Sequence, residues 1–132
     1  MKYLHTMIRV GNLEKSIQFY TEVLGFRLLS VDKYPEGKFT LAFLQADGDS
    51  GPMIELTYNW DVLSYELGKG YGHMAYQVDS VEAIGNKLKQ HGLSFSWGPG
   101  KTPSGNRAMA FLQDPDGYSI ELLETAGDSR LS

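Results

Sequence analysis

The sequence predicts an α+β fold of two βαβββ modules, each forming a curved mixed sheet. Three observations predict it. First, the chain repeats itself: with Phe43 aligned to Phe111, "AFLQ" at 42–45 meets "AFLQ" at 110–113, and "IEL" at 54–56 meets "IEL" at 120–122. Second, "LHTMIRV" at 4–10 corresponds to "GHMAYQV" at 72–78, which pairs His5 with His73. Third, in each copy a period-2 segment gives way to one helical segment and then to three further strand-like segments.

The first strand is expected at 2–10. Asn12 is suited to cap the helix that follows, because its side chain can accept a bond from a free N–H of the first turn. Leu13, Ile17, Tyr20 and Leu24 recur at helical spacing, and Gly25 closes the segment. Strands are expected at about 26–33, 38–46 and 53–60, with "PEGK" at 35–38 as turn chemistry. In the second copy, Asp79-Ser80-Val81-Glu82 resembles a capping box, Val81, Ile84 and Leu88 form the buried stripe, and Gly92 ends the helix. Strands follow at about 93–98, 106–113 and 118–124, with "DPDG" at 114–117 as a turn. The expected organisation is one domain over 1–132: module 1–60, a polar linker 61–70, module 71–125 and a short tail 126–132. A four-stranded module covered by one helix leaves its concave face open, so two modules must close on each other, within a chain or between chains.

Composition narrows the function classes. A net charge of −4 with no basic run gives nucleic-acid binding little support. The absence of cysteine removes disulfides, thiolate ligands and cysteine nucleophiles, so any metal must be held by imidazole and oxygen. No apolar run approaches the roughly 20 residues of a membrane span. No export signal is recognisable, so the expected location is cytoplasmic.

Strand alternation then sorts the side chains by face. Leu4, Thr6, Ile8 and Val10 lie on one side of the first strand, with Tyr3, His5, Met7 and Arg9 on the other. Ile54, Leu56, Tyr58 and Trp60 oppose Met53, Glu55, Thr57 and Asn59. His73 shares a face with Tyr71, Ala75 and Gln77, and Glu121 with Ser119 and Leu123. The apolar sets Ile8/Val10, Ile54/Leu56, Met74/Val78 and Ile120/Leu122 are expected beneath the helices. That places His5, Glu55, His73 and Glu121 on the open face. Singly, a strand histidine is usually a hydrogen-bonded or surface residue, and a strand glutamate a solvated charge that discourages edge pairing. At four repeat-equivalent positions, two imidazoles and two carboxylates form a metal-ligand constellation. His91, before Gly92, reads as a solvated residue at a helix end.

Arg9 lies four residues beyond His5 and Asn59 four beyond Glu55, on the same faces. At about 3.3 Å per residue this puts a polar end roughly 13 Å from the metal end, suited to a carboxylate or amide. For Arg9, a surface salt bridge is the alternative.

The phrases "LHTMIRVGNLEKSIQFYTEVLGFRLL", "IELTYNW", "YELGKGYGHMA" and "AFLQDPDGYSIELLE" carry a resemblance over nearly the whole chain. It is to the vicinal oxygen chelate superfamily and, within it, to bacterial glyoxalase I (lactoylglutathione lyase). The resemblance implies the glyoxalase fold, with His5, Glu55, His73 and Glu121 as metal ligands. It also implies that Glu121 moves the substrate proton, with Glu55 sharing the task. Arg9 and Asn59 match residues that hold the γ-glutamyl end of glutathione. Lys101 matches a lysine near the glycyl carboxylate, and Lys69 stands where some members have arginine. The loop 100–108 departs from the family pattern, and its Gly, Ser and Pro content suits a lid.

The implied reaction isomerises the hemithioacetal of methylglyoxal and glutathione to S-D-lactoylglutathione, which detoxifies methylglyoxal. It passes through an enediolate whose charge a divalent cation stabilises. Nickel is the first expectation for the metal, with cobalt, manganese or zinc as alternatives. The implied assembly is a homodimer with sites shared between chains. The same architecture also hosts acyl-CoA epimerases, thiol transferases of antibiotic resistance, dioxygenases and metal-free drug-binding modules. The four-ligand set and Asn59 favour the isomerase.

Overall fold

Eight strands and two helices form, in the predicted order, among residues 1–125, which the computed structural model describes; the expected tail at 126–132 lies outside them. The chain divides into a first unit, Met1–Glu66, and a second beginning at Leu67. Among the described residues no helix is long and apolar enough to cross a membrane.

The first unit runs β1 (His5–Arg9), α1 (Leu13–Gln18) with a π-helical turn (Phe19–Val23), β2 (Arg27–Tyr34), β3 (Phe39–Gln45) and β4 (Met53–Asn59). Its sheet has the order β1-β4-β3-β2. β1 lies parallel to β4, and the other pairings are antiparallel. The second unit repeats this with β5 (His73–Val78), α2 (Val81–Gln90), β6 (Trp97–Lys101), β7 (Ala108–Gln113) and β8 (Ser119–Glu124), in the order β5-β8-β7-β6. A helix joins each parallel pair's first strand to the rest, because parallel strands need a crossover connection.

Period-2 patterning fixes the buried face. Ile8, Val10, Ile54, Leu56, Ile120 and Leu122 are each no more than 4% exposed. Full burial of one such side chain contributes roughly 1.5–3 kcal/mol, so a one-residue slip in either sheet is strongly disfavoured. α1 packs on β4, and α2 on β7 and β8. Met74 and Val78, expected in the same layer, are only half-buried.

Four local differences from expectation have physical causes. β1 begins at His5 rather than residue 2, although the Met53 N–H still donates to the Leu4 carbonyl at 2.9 Å. The first helix does not keep a 3.6-residue period: the π-turn advances its face, so Ser16, Phe19, Tyr20 and Val23 are buried while Leu13, Ile17 and Leu24 are half-buried. The second helix is capped by Ser80, which accepts from the Ala83 N–H at 3.1 Å, rather than by Asp79. The Glu124 carboxylate, from β8, accepts from the next free donor, the Val81 N–H, at 2.9 Å. β6 occupies Trp97–Lys101 instead of 93–98. Gly98 there has φ +83°, and a Cβ would stand 3.1 Å from the Met109 carbonyl oxygen. The "GPG" at 98–100 is therefore a bulge on an edge strand, where proline is tolerated.

Asn12 caps α1 as expected, accepting from the Lys15 N–H at 3.0 Å. Gly25 and Gly92 close the two helices with φ +74° and +71°, a left-handed turn that side chains disfavour.

Candidate metal centre

Each unit brings one histidine and one glutamate together. In the first, His5 opens β1 and Glu55 sits mid-way along β4, diagonally across the parallel pairing in which Met7 faces Glu55. His5 Nε2 and Glu55 Oε2 are 3.9 Å apart. In the second, Ala75 faces Glu121 across β5 and β8, and His73 Nε2 stands 3.7 Å from Glu121 Oε1. The carboxylates are sheltered, at 15% and 14% side-chain exposure, while the imidazoles stand more open at 34% and 42%. Among the described residues no group of three or more acidic or histidine side chains is gathered. The structure thus supplies ligands in twos.

These pairs fit a divalent cation. Two donors each about 2.1 Å from one ion stand roughly 3 Å apart when adjacent and about 4 Å apart when opposite. The observed separations fall in that range. An all-imidazole-and-carboxylate donor set, with no sulfur, suits a hard or borderline divalent ion.

Turn chemistry sets the register that aims Glu121. Asp114 is 5% exposed, and its Oδ1 accepts from the Asp116 and Tyr118 N–H groups at 3.0 and 2.9 Å. The Asp114 N–H donates to the Tyr118 carbonyl at 3.0 Å, locking β7 to β8. Tyr71, two residues before His73, donates to the Ser119 carbonyl at 3.3 Å and packs edge-on against Tyr118, with ring centroids 5.3 Å apart. Its burial, and then the nearby Asp114 carboxylate and Tyr118, hold the hydroxyl above the ordinary tyrosine range and keep it a neutral donor. The sequence identified this turn but not Tyr71, although Tyr71 shares the His73 face.

Arg9 and Asn59 lie at the same end of the first sheet. Arg9 pairs with Thr57, two residues before Asn59, and its side chain is exposed. The Asn59 amide donates to the Tyr65 hydroxyl at 3.1 Å, a contact that sequence reasoning missed because Tyr65 lies in the linker. Lys101 ends β6, two strands from the β8 that carries Glu121, and Lys69 lies in the turn before β5. Both lysines are exposed, and it was the family resemblance that put them near the site. His91 is exposed at the end of α2, with Nδ1 2.9 Å from the Lys87 carbonyl, as a helix-end residue should be.

Comparison with known proteins shows the family and the fold. Residues 2–122 match the family described as the Glyoxalase/Bleomycin resistance protein/Dioxygenase superfamily. A lactoylglutathione lyase of Haemophilus influenzae is 49% identical over 94% of this chain and 93% of its own. The chain belongs to the glyoxalase I family. Membership of that family implies a divalent metal. A glyoxalase I crystal structure from Zea mays superposes with a TM-score of 0.88 at 38% identity, covering 96% of this chain. This chain spans 45% of that maize protein's length. A trypanothione-dependent glyoxalase I of Leishmania major, compared there with the human enzyme, gives a TM-score of 0.81 at 44% identity, over 94% of this chain and 86% of its own.

Proposed function

We propose that the chain is a lactoylglutathione lyase. It converts the hemithioacetal of methylglyoxal and glutathione into S-D-lactoylglutathione and so removes methylglyoxal. The observation that carries this reading is the near-full-length identity to lactoylglutathione lyases in a chain holding two repeat-equivalent His/Glu pairs.

In this reading His5, Glu55, His73 and Glu121 are the metal ligands, two from each module, and the working enzyme is a homodimer whose sites draw on both chains. When bound, the cation supplies Lewis-acid stabilisation of negative charge developing on the substrate oxygens. Nickel is the proposed ion, with cobalt, manganese or zinc able to use the same donors. The substrate needs one proton taken from the carbon bearing sulfur and returned to the neighbouring carbon. Glu121 performs both transfers, because a sheltered carboxylate exchanges its proton with bulk water less readily than an exposed one. Glu55, similarly sheltered, shares the task. Arg9 captures a carboxylate of the peptide tail with its planar guanidinium, and Asn59 hydrogen-bonds beside it. Lys101 serves the glycyl carboxylate end, and Lys69 is a second cation for binding the substrate.

The test is thioester formation from methylglyoxal and glutathione by protein stripped of metal and reloaded separately with nickel, cobalt and zinc. Activity should appear on reloading, and highest with nickel. Inactivity with every metal would overturn the assignment. Trypanothione offered in place of glutathione checks the thiol, since the Leishmania relative is described as depending on it.

A further inference from the structure

Both His/Glu pairs are accompanied by the same third residue. Phe43 on β3 faces Glu55 directly across the β3–β4 pairing, and Phe111 on β7 faces Glu121 across β7–β8. Each phenyl ring also meets the histidine edge-to-face. The centroids of His5 and Phe43 are 5.6 Å apart at 78°, and those of His73 and Phe111 are 5.2 Å apart at 79°. In both sheets the strand carrying the glutamate lies between the strands carrying the two rings. Histidine and phenylalanine therefore reach over the glutamate strand to touch.

We infer that Phe43 and Phe111 are positioning residues for the ligand pairs, an inference that rests on the reading of these pairs as metal ligands. The imidazoles are a third or more exposed, so few other neighbours define their ring planes. Edge-to-face packing of two rings prefers one interplanar geometry, by a population factor on the order of two to ten. Directly opposed strand residues have side chains about 5 Å apart, so the same phenyl also flanks the carboxylate. One ring thereby holds the nitrogen and the oxygen of a pair at a chelating distance before any ion arrives. A ligand set arranged in advance loses less freedom on binding, which appears as affinity.

The alternative is that the phenyl groups only fill space, and leucine separates the two. Phe43→Leu and Phe111→Leu keep apolar bulk but remove the ring, while Phe43→Tyr and Phe111→Tyr keep the ring. Both phenylalanines are only half-buried, so the leucine variants should fold, with thermal unfolding of the metal-free chain as the check. Affinity for Ni²⁺ alone is measured on the full chain by competition with a chelator. Each leucine variant should bind about tenfold more weakly, each tyrosine variant within about threefold of the parent. Phe39→Leu is the control: Phe39 lies on the same strand but stacks on Tyr34, with centroids 4.9 Å apart, and its loss should leave Ni²⁺ affinity unchanged. Parental affinity in the leucine variants, with His5→Ala and His73→Ala defective, overturns the positioning role alone. Parental affinity in the histidine variants overturns the ligand reading and this inference with it.

Discussion

The two modules differ most in their helices and least in their ligand pairs. The first helix has six regular residues and then a π-turn; the second has ten regular residues. The second strand of the first module has eight residues and its counterpart five, each with a register shift against its neighbour. Yet the histidine-to-carboxylate separations are 3.9 and 3.7 Å, and the phenyl contacts agree within half an ångström. What the modules share is the parallel pairing of first and last strands and the antiparallel strand beside it. Register across those three strands, rather than the helix, holds the site.

A second difference is functional. Counting four residues on from each ligand gives Arg9 and Asn59 in the first module but Gln77 and Thr125 in the second. The His/Glu pair is duplicated and the cationic end is not. The modules should therefore respond alike in metal affinity to changes at the two histidines and differently to changes at the far end.

The largest effect expected is on proton transfer. Glu121→Gln should lower turnover by about 10³-fold, and Glu55→Gln by less, in the range typical of a lost general base. Equal losses would make the two carboxylates equivalent and would remove the assignment of Glu121 as the main base. Next come the cores beneath the sites. Ile54→Ala and Ile120→Ala, 1% and 0% exposed, should each cost about 2–5 kcal/mol in urea unfolding. A cost confined to one of them would show that the modules do not share their core design. At the far end, Arg9→Ala should raise KM for the hemithioacetal about tenfold or more with a smaller change in kcat, whereas Gln77→Ala should leave both within about twofold. Similar responses from Arg9 and Gln77 would contradict the asymmetry. Smallest are the helix caps. Asn12→Ala and Ser80→Ala should each lower stability by about 1 kcal/mol without altering metal affinity.

The two His/Glu pairs were legible in the sequence because two strong signals coincide there: the internal repeat and period-2 alternation. A face assignment needs only the parity of a residue within its strand, so a strand end misplaced by three residues, as at 2–4, does no harm. What the sequence hid depends on backbone geometry or distant contacts. The π-turn at Phe19–Val23 has no local signature that separates it from an ordinary helical turn. The β6 bulge follows from Gly98 and its neighbour Met109, which is remote in the chain. Glu124 binding the first turn of α2 joins residues 43 positions apart. Asn59 pairing with Tyr65 depends on how the linker folds back on β4, and Tyr71 with Ser119 arises only once β5 and β8 are paired.

In the proposed homodimer the two His/Glu pairs belong to one ligand set rather than to separate sites. Titration of Ni²⁺ into the metal-free protein, with stoichiometry read per chain, tests this most directly. One tight ion per chain is expected, lost to a similar degree in His5→Ala and in His73→Ala. Two independent ions per chain, or a histidine variant that leaves tight binding intact, would contradict it.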